Sequence, residues 1–349
     1  MSTGVPASSD IGTRAVPLAR VVRGDLVESV HSGHLVIVGP ARPDGSTAGT
    51  GTDGTDGAVE HAFGDPDVTI WARSSLKPLQ AVAMLRHGLA LDGPELAIAC
   101  SSHNAEPAHL TRVLAVLSGA GLSEDALQNT PDLPLDPAAA LAWQVSGHAA
   151  SALTQNCSGK HAAMLATCVA NGWDPSTYLE AGHALQVAIR RTLEDLTGAP
   201  VTHATVDGCG APLFSTTLVG LARAFGAIAA APRTDPGSPQ ARVASAMTAH
   251  PWLVAGTGRE ATHAMLAVPG LVAKDGADGV YAAGLPDGRG IAFKIADGGA
   301  RPRPAVLVAA LLLAGIAPSA DLATLRAIGD TPVLGHGEPV GKVVPVVGA

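Results

Sequence analysis

Ser74 and Lys77 stand three residues apart in the string Arg73-Ser74-Ser75-Leu76-Lys77. A serine hydroxyl is a poor nucleophile until a neighbouring base takes its proton. A lysine can be that base where its surroundings make it neutral; an arginine cannot, because its guanidinium stays protonated. Only five of the 22 basic residues are lysines: Lys77, Lys160, Lys274, Lys294 and Lys342. Where positive charge is built mainly from arginine, a lysine beside serines asks for a chemical reason. Keeping a lysine neutral at pH 7 costs about 4.6 kcal/mol from its usual pKa. Burial next to a second cation can supply that shift. Lys274, in Lys274-Asp275-Gly276, is the candidate second cation.

Further hydroxyls occur in Ser101-Ser102-His103-Asn104, just after the apolar run 96–100. A K-x-G string far downstream of S-x-x-K is the arrangement of the penicillin-recognising serine enzymes. A second constellation pairs thiols with a lysine. Cys157 and Lys160 lie in Cys157-Ser158-Gly159-Lys160-His161, and Cys209 lies in Asp207-Gly208-Cys209-Gly210-Ala211-Pro212. Without a C-x-x-C pair, these thiols make a weak metal signal and read first as inert buried groups. Cys100 and Cys168 read as core. His161, His183 and His263 are isolated in sequence.

Elements must carry these groups. Residues 18–30 and 34–38 read as strands joined at Ser32-Gly33, and 68–71 as a short strand leading into the serine–lysine string. Apolar residues at helical spacing follow: Leu79, Val82, Leu85 and Leu89, then Leu110, Val113, Leu114 and Leu117. Residues 162–169 form a helix stopping at Asn171-Gly172, and 178–196 another closed by Gly198. Residues 201–206 read as a strand, and Pro212 as the start of a helix through 224. Strands over 271–274, 280–285 and 290–295 follow, the last two flanking the turn Pro286-Asp287-Gly288-Arg289, with a final helix after Pro304. Strands at both chain ends and helices between them predict an α/β (α+β) fold. Its sheet-containing lobe takes 16–72 and 200–349, and its mainly helical lobe 73–199. Residues 1–15 and 40–58 read as flexible, the latter as a Gly-, Thr- and Asp-rich loop.

Bulk properties exclude some partners. A net charge of −8 argues against nucleic acid or an anionic membrane. Mean hydropathy is +0.27, yet the longest apolar stretch, 305–317, is too short to span a bilayer. The first 20 residues carry no apolar run after a basic patch, so a cytoplasmic enzyme with thiols, not disulfides, is expected.

Together the strings resemble the rhizobial-type bacterial L-asparaginases, or asparaginase II. The likeness rests on Glu28-Ser29-Val30-His31-Ser32-Gly33, Gly64-Asp65-Pro66-Asp67, Arg73-Ser74-Ser75-Leu76-Lys77-Pro78, Ser102-His103-Asn104, Asn156-Cys157-Ser158-Gly159-Lys160-His161, Asp207-Gly208-Cys209-Gly210 and Lys274-Asp275-Gly276. The resemblance implies a serine β-lactamase/glutaminase-like fold, a homodimer, and hydrolysis of L-asparagine to L-aspartate and ammonia. It implies Ser74 as nucleophile, Lys77 as its base, and Ser102 with Lys274 as a second serine–lysine pair. It implies a zinc site of Cys157, Lys160 and Cys209 that affects substrate binding more than bond cleavage. Arg73, His103, His161, Asp207 and Gly208 are implied near the substrate. The 40–58 loop is longer than the resemblance requires. Rival readings are another serine–lysine hydrolase, of glutaminase or penicillin-recognising type, a non-catalytic zinc- or amino-acid-binding homologue, and zinc acting as Lewis acid.

Overall fold

The computed structural model describes residues 11–40 and 57–348. The expectations for 1–10 and 41–56 lie outside these. The strands are β1 (Val16–Arg23), β2 (Leu26–Val38), β3 (Val59–Phe63), β4 (Thr69–Trp71), β5 (Ala204–Val206), β6 (Pro212–Thr217), β7 (Val272–Asp275), β8 (Val280–Gly284), β9 (Gly290–Ile295), β10 (Pro332–Gly335) and β11 (Glu338–Pro345). The helices are α1 (Lys77–Arg86), α2 (Gly93–Ala99), α3 (Pro107–Gly119), α4 (Pro137–Val145), α5 (Ser158–Asn171), α6 (Ala184–Thr197), α7 (Leu218–Thr234), α8 (Pro239–Ala249), α9 (Pro251–Val254), α10 (Glu260–Ala267), α11 (Arg303–Leu313) and α12 (Leu322–Gly329).

The main sheet is antiparallel, in the order β10-β11-β1-β2-β9-β8-β7, with β3 also pairing β2. It is a mixed α/β architecture whose sheet draws on both ends of the chain. A second antiparallel sheet runs β4-β6-β5. Strand β8 is buried at every residue, which requires cover on both faces of the sheet. Helix α7 packs on β2, β8 and β9, and α11 on β1, β9 and β11. The buried residues Leu218, Leu221, Phe225 and Ile228 of α7 recur at helical spacing. Each such side chain contributes about 1.5–3 kcal/mol on burial.

Several boundaries differ from the sequence reading: the strand read over 201–206 is only β5, and the helix at Pro304 is not the last element, since α12, β10 and β11 follow it. The turn between the first two strands is at Gly24 and Asp25, and β2 runs straight through Ser32-Gly33. Gly33 is there because β9 approaches closely: a Cβ would overlap the Lys294 carbonyl. Pro212 opens the buried strand β6 and not a helix, which starts at Leu218 under a Thr217 cap. Proline is tolerated at the first position of either element. Helix α6 begins at Ala184, where the His183 ring accepts the Leu185 N–H, six residues later than the apolar pattern suggests.

Candidate active site

The backbone turns at Arg73, whose φ of 52° is uncommon for a residue with a side chain. A 3-10 turn, Arg73–Leu76, follows and runs into α1, which begins at Lys77 with Pro78 in its first turn. Ser74 therefore precedes the α-helix instead of capping it. Lys77 is buried and ranks with Lys274 among the largest fully buried side chains of the protein.

Lys77 Nζ donates to Ser102 Oγ at 2.9 Å and to the Ser101 carbonyl at 2.5 Å. Its hydrogen-bonded serine is thus Ser102, at the end of α2, while Ser74 lines the same cavity of about 400 Å³ as Ser102. The two candidate hydroxyls of the Ser101-Ser102 pair separate cleanly. Ser101 Oγ turns back to the Ile98 carbonyl at 2.7 Å, and Ser102 Oγ faces the lysine.

Lys274 lies on β7, fully buried, with Nζ donating to Asp275 Oδ1 at 2.6 Å and to the Asp275 carbonyl at 2.8 Å. Burial drives its pKa down; Asp275 opposes and Lys77 assists, leaving it at about 8. No Lys274–Ser102 hydrogen bond forms among the described residues. The end of β7 is seated directly on the 72–75 segment: Ser75 Oγ donates to the Lys274 carbonyl, and a Cβ at Gly276 would fall 2.7 Å from the Ala72 carbonyl. Glycine in the Lys-Asp-Gly string is thereby explained by close packing.

The thiol–lysine constellation also converges. Lys160 Nζ donates to Cys209 Sγ at 3.1 Å, the Cys157 and Cys209 side chains pack together, and Cys157 Sγ donates to Asn156 Oδ1 at 3.2 Å. The neighbouring Cys209 favours the thiolate of Cys157 against its burial, helped by Lys77 and Lys160. The charge of Lys77 also acts on the Cys157 thiol, which links the two constellations electrostatically. Cys209 belongs to the turn before β6 and not to a turn before a helix. Among the described residues no group of three or more His, Cys, Asp or Glu can hold a metal; the third donor here is a lysine. Two soft sulfurs and one nitrogen suit zinc in a tetrahedral set with one open position, so the donor chemistry fits. Cys100 and Cys168 are buried elsewhere, and burial pushes their thiols up to about 12 and about 11.

The remaining candidates divide. Arg73 Nε donates to Asp207 Oδ1 at 2.7 Å and its Nη1 pairs with Asp278. Arg73, Asp207 and Gly208 line a neighbouring cavity of about 630 Å³. Burial would raise the Asp207 carboxyl, but Lys160 and Arg73 outweigh it and hold it below the usual range. His103 and His161 are buried. His103 Nδ1 accepts the Ala105 N–H, so Nε2 donates to Ser158 Oγ at 2.9 Å. His161 Nδ1 pairs with Tyr178 OH at 2.8 Å. Neither lines the cavity with the serines.

Sequence reasoning missed Arg259 and Arg303, which line the serine cavity beside Asp275. Their signal was faint: Arg259 follows Gly256-Thr257-Gly258, whose glycines both have positive φ, and Arg303 opens α11.

No curated protein matches this sequence. Solved structures that resemble it include Mglu, at 14% identity over 85% of this chain and 65% of that one, with a TM-score of 0.38. Mglu in its glutamate form gives 15% identity over 84% of this chain and 59% of that one, with a TM-score of 0.39. A beta-lactamase from Mycobacterium bovis gives 14% identity over 80% of this chain and 94% of that one, with a TM-score of 0.42. The chain spans less than two thirds of the Mglu chains. The model of the L-asparaginase II family matches residues 19–345. With nearly its whole length matched, this chain belongs to the L-asparaginase II family.

Proposed function

We propose that this amidohydrolase cleaves the side-chain amide of L-asparagine to L-aspartate and ammonia through a serine-bound acyl intermediate. The observation that carries the reading is the buried Lys77 amine, 2.9 Å from Ser102 Oγ, at a cavity that Ser74 shares. In this reading Ser74 Oγ attacks the amide carbon as Lys77, in its uncharged form, takes the proton. The backbone N–H groups of Ser74 and Ala277 belong to residues that line this cavity; in this reading they stabilise the oxyanion. Ser102 passes a proton from Lys77 to the leaving nitrogen, which departs as ammonia. Water then enters by the reverse relay and cleaves the β-aspartyl ester. Lys274, the second amine beside Lys77, shares the proton relay in its uncharged form, which its lowered pKa makes accessible. A cavity of about 400 Å³ suits a small polar substrate.

Arg73 and Asp207 carry the charges that complement an α-carboxylate and an α-ammonium, and with Gly208 they are assigned to substrate binding. Cys157, Lys160 and Cys209 would hold zinc, and Lys160, whose pKa the two sulfurs raise against its burial in the metal-free protein, would have to lose its proton to bind it. Bound there, zinc would supply a Lewis-acidic position for a polar end of the substrate. The reading includes a cytoplasmic homodimer; among the described residues no helix is long and apolar enough to cross a membrane. Coupled ammonia detection with L-asparagine, L-glutamine and D-asparagine tests the substrate. Selective release from L-asparagine supports it. Preference for L-glutamine, or acylation of Ser74 by a labelled penicillin without amidase turnover, overturns it.

A further inference from the structure

Ser102 and Lys274 are held by different elements. Ser102 leaves α2 in a segment whose backbone pairs with 254–255: Ser102 N–H donates to the Val254 carbonyl and Asn104 N–H to the Ala255 carbonyl. Lys274 is on β7. Arg259, immediately before α10, spans the gap. Its Nη1 donates to the Ser102 carbonyl at 3.3 Å and to Asn104 Oδ1 at 3.1 Å, and its Nη2 to Asp275 Oδ2 at 2.7 Å. The other Asp275 oxygen holds Lys274. One buried carboxylate is therefore divided, one oxygen to each cation.

The surroundings of Arg259 are fixed in turn. Asn104 Nδ2 donates to Glu106 Oε1 and to the Thr257 carbonyl, which leaves its oxygen for Arg259. Glu106 also accepts the Thr257 N–H and hydroxyl, both at 2.8 Å, and Trp252 Nε1 donates to that hydroxyl. This loop hydrogen bonding spends its donors and acceptors on presenting one guanidinium. A lysine could not reproduce the bridge, because a single ammonium lacks the planar fork.

We propose that Arg259 is a positioning residue that locks the Ser102 segment to β7 and takes half of Asp275 away from Lys274. The proposal rests on the serine–lysine reading above. The charged or titratable groups facing Lys274 are Asp275, Lys77, Cys100 and Arg259. Arg303 and Tyr281 act on Asp275 from the next ring outward. Removing Arg259 deletes a repelling cation and leaves the carboxylate to Lys274 alone. Both changes favour the protonated amine.

The test compares the wild-type chain with Arg259→Gln and Arg259→Lys. With only five lysines, ¹³Cε-lysine NMR can follow Lys274 directly, its signal assigned through Lys274→Arg. In Arg259→Gln the Lys274 titration moves up by about one unit, and the rising limb of kcat/KM against pH moves with it. At pH 7 kcat falls about tenfold or more, while KM stays within about threefold. Arg259→Lys restores the limb and not the full kcat. A purely structural role lowers kcat without moving the limb, and that result overturns the proposal. If Arg259→Gln fails to fold, Arg259→Met, which keeps the bulk and drops the charge, takes its place: a Lys274 titration that moves upward there supports the proposal, and one that stays at the wild-type position overturns it. A wild-type chain that releases no ammonia from L-asparagine sinks the substrate reading, whereas an unmoved Lys274 titration sinks the positioning role.

Discussion

Two buried lysines in this molecule are driven in opposite directions. Lys274 and Lys160 are both out of contact with solvent, and burial works to discharge each of them. At Lys160 the Cys209 and Cys157 sulfurs outweigh burial, and the amine is held above its usual range. At Lys274 the single carboxylate is shared with Arg259, and Lys77 adds repulsion, so the pKa falls to about 8. Burial sets the scale of the effect, and the ratio of anions to cations around the amine sets its sign. One chain thus builds a lysine that gives up its proton easily and another suited to stay with sulfur.

Four experiments separate the two regions by size of effect. The largest is expected at the serines. Ser74→Ala should lower ammonia release from L-asparagine by about a thousandfold or more, with far-UV circular dichroism unchanged. Ser102→Ala should also be severe, because it removes the group that Lys77 holds. Intact-mass spectra of quenched reactions identify the acylated residue. An acyl adduct on Ser102 with Ser74→Ala still active would reverse the roles.

Next comes pH. The lowered pKa of Lys274 means that its uncharged form accumulates as pH rises through about 8. Below that value each unit of pH removes about tenfold of the neutral amine. If this form is the active one, kcat/KM rises with pH up to about 8 and then levels. A profile flat from pH 6 to 9 would detach Lys274 from the chemistry. A falling profile would show that its charged form is the one used.

The thiol region should respond differently. Cys209→Ser replaces a soft sulfur by a hydroxyl and leaves Lys160 short of an anion. Zinc uptake, measured by elemental analysis after dialysis, should fall at least about tenfold. KM for L-asparagine should rise by about tenfold while kcat changes little. An equal loss in kcat would merge the two regions into one catalytic unit.

Much of this division was legible in the residues. The rarity of lysine flagged Lys77, Lys160 and Lys274, and all three are buried. Periodicity found the helices carrying Leu79 and Leu110, and the stops at Gly172 and Gly198 hold. What was illegible depends on contacts distant in sequence. Spacing pairs Lys77 with Ser74, three residues away, but the hydrogen bond goes to Ser102, 25 residues on. Arg259 belongs to no string of the resemblance, and its partners at 102, 104 and 275 meet only once α2, α10 and β7 have packed. His103 and His161 entered through the resemblance alone; His103 is tied to Ser158, and His161 pairs with Tyr178 through one nitrogen while its Nε2 is buried without a partner among the described residues. The helix expected at Pro212 failed because an apolar run after proline serves either element, and burial on both faces selected the strand.

The smallest expected effect is the sharpest control on the comparison. Cys168 shares α5 with Lys160 but lies more than two turns further along it, buried, with its thiol pushed up to about 11. Its backbone carbonyl accepts the Trp173 N–H beyond the helix end, a bond that a side-chain change leaves in place. Cys168→Ala therefore removes one buried sulfur and its packing, at a cost of about 1 kcal/mol, read as a small drop in Tm. Zinc uptake and kcat/KM should stay within about twofold of wild type. If Cys168→Ala lost metal or activity as Cys209→Ser does, proximity on one helix would be enough to explain the thiol effects, and the pairing of Cys157 with Cys209 across two elements would lose its special place.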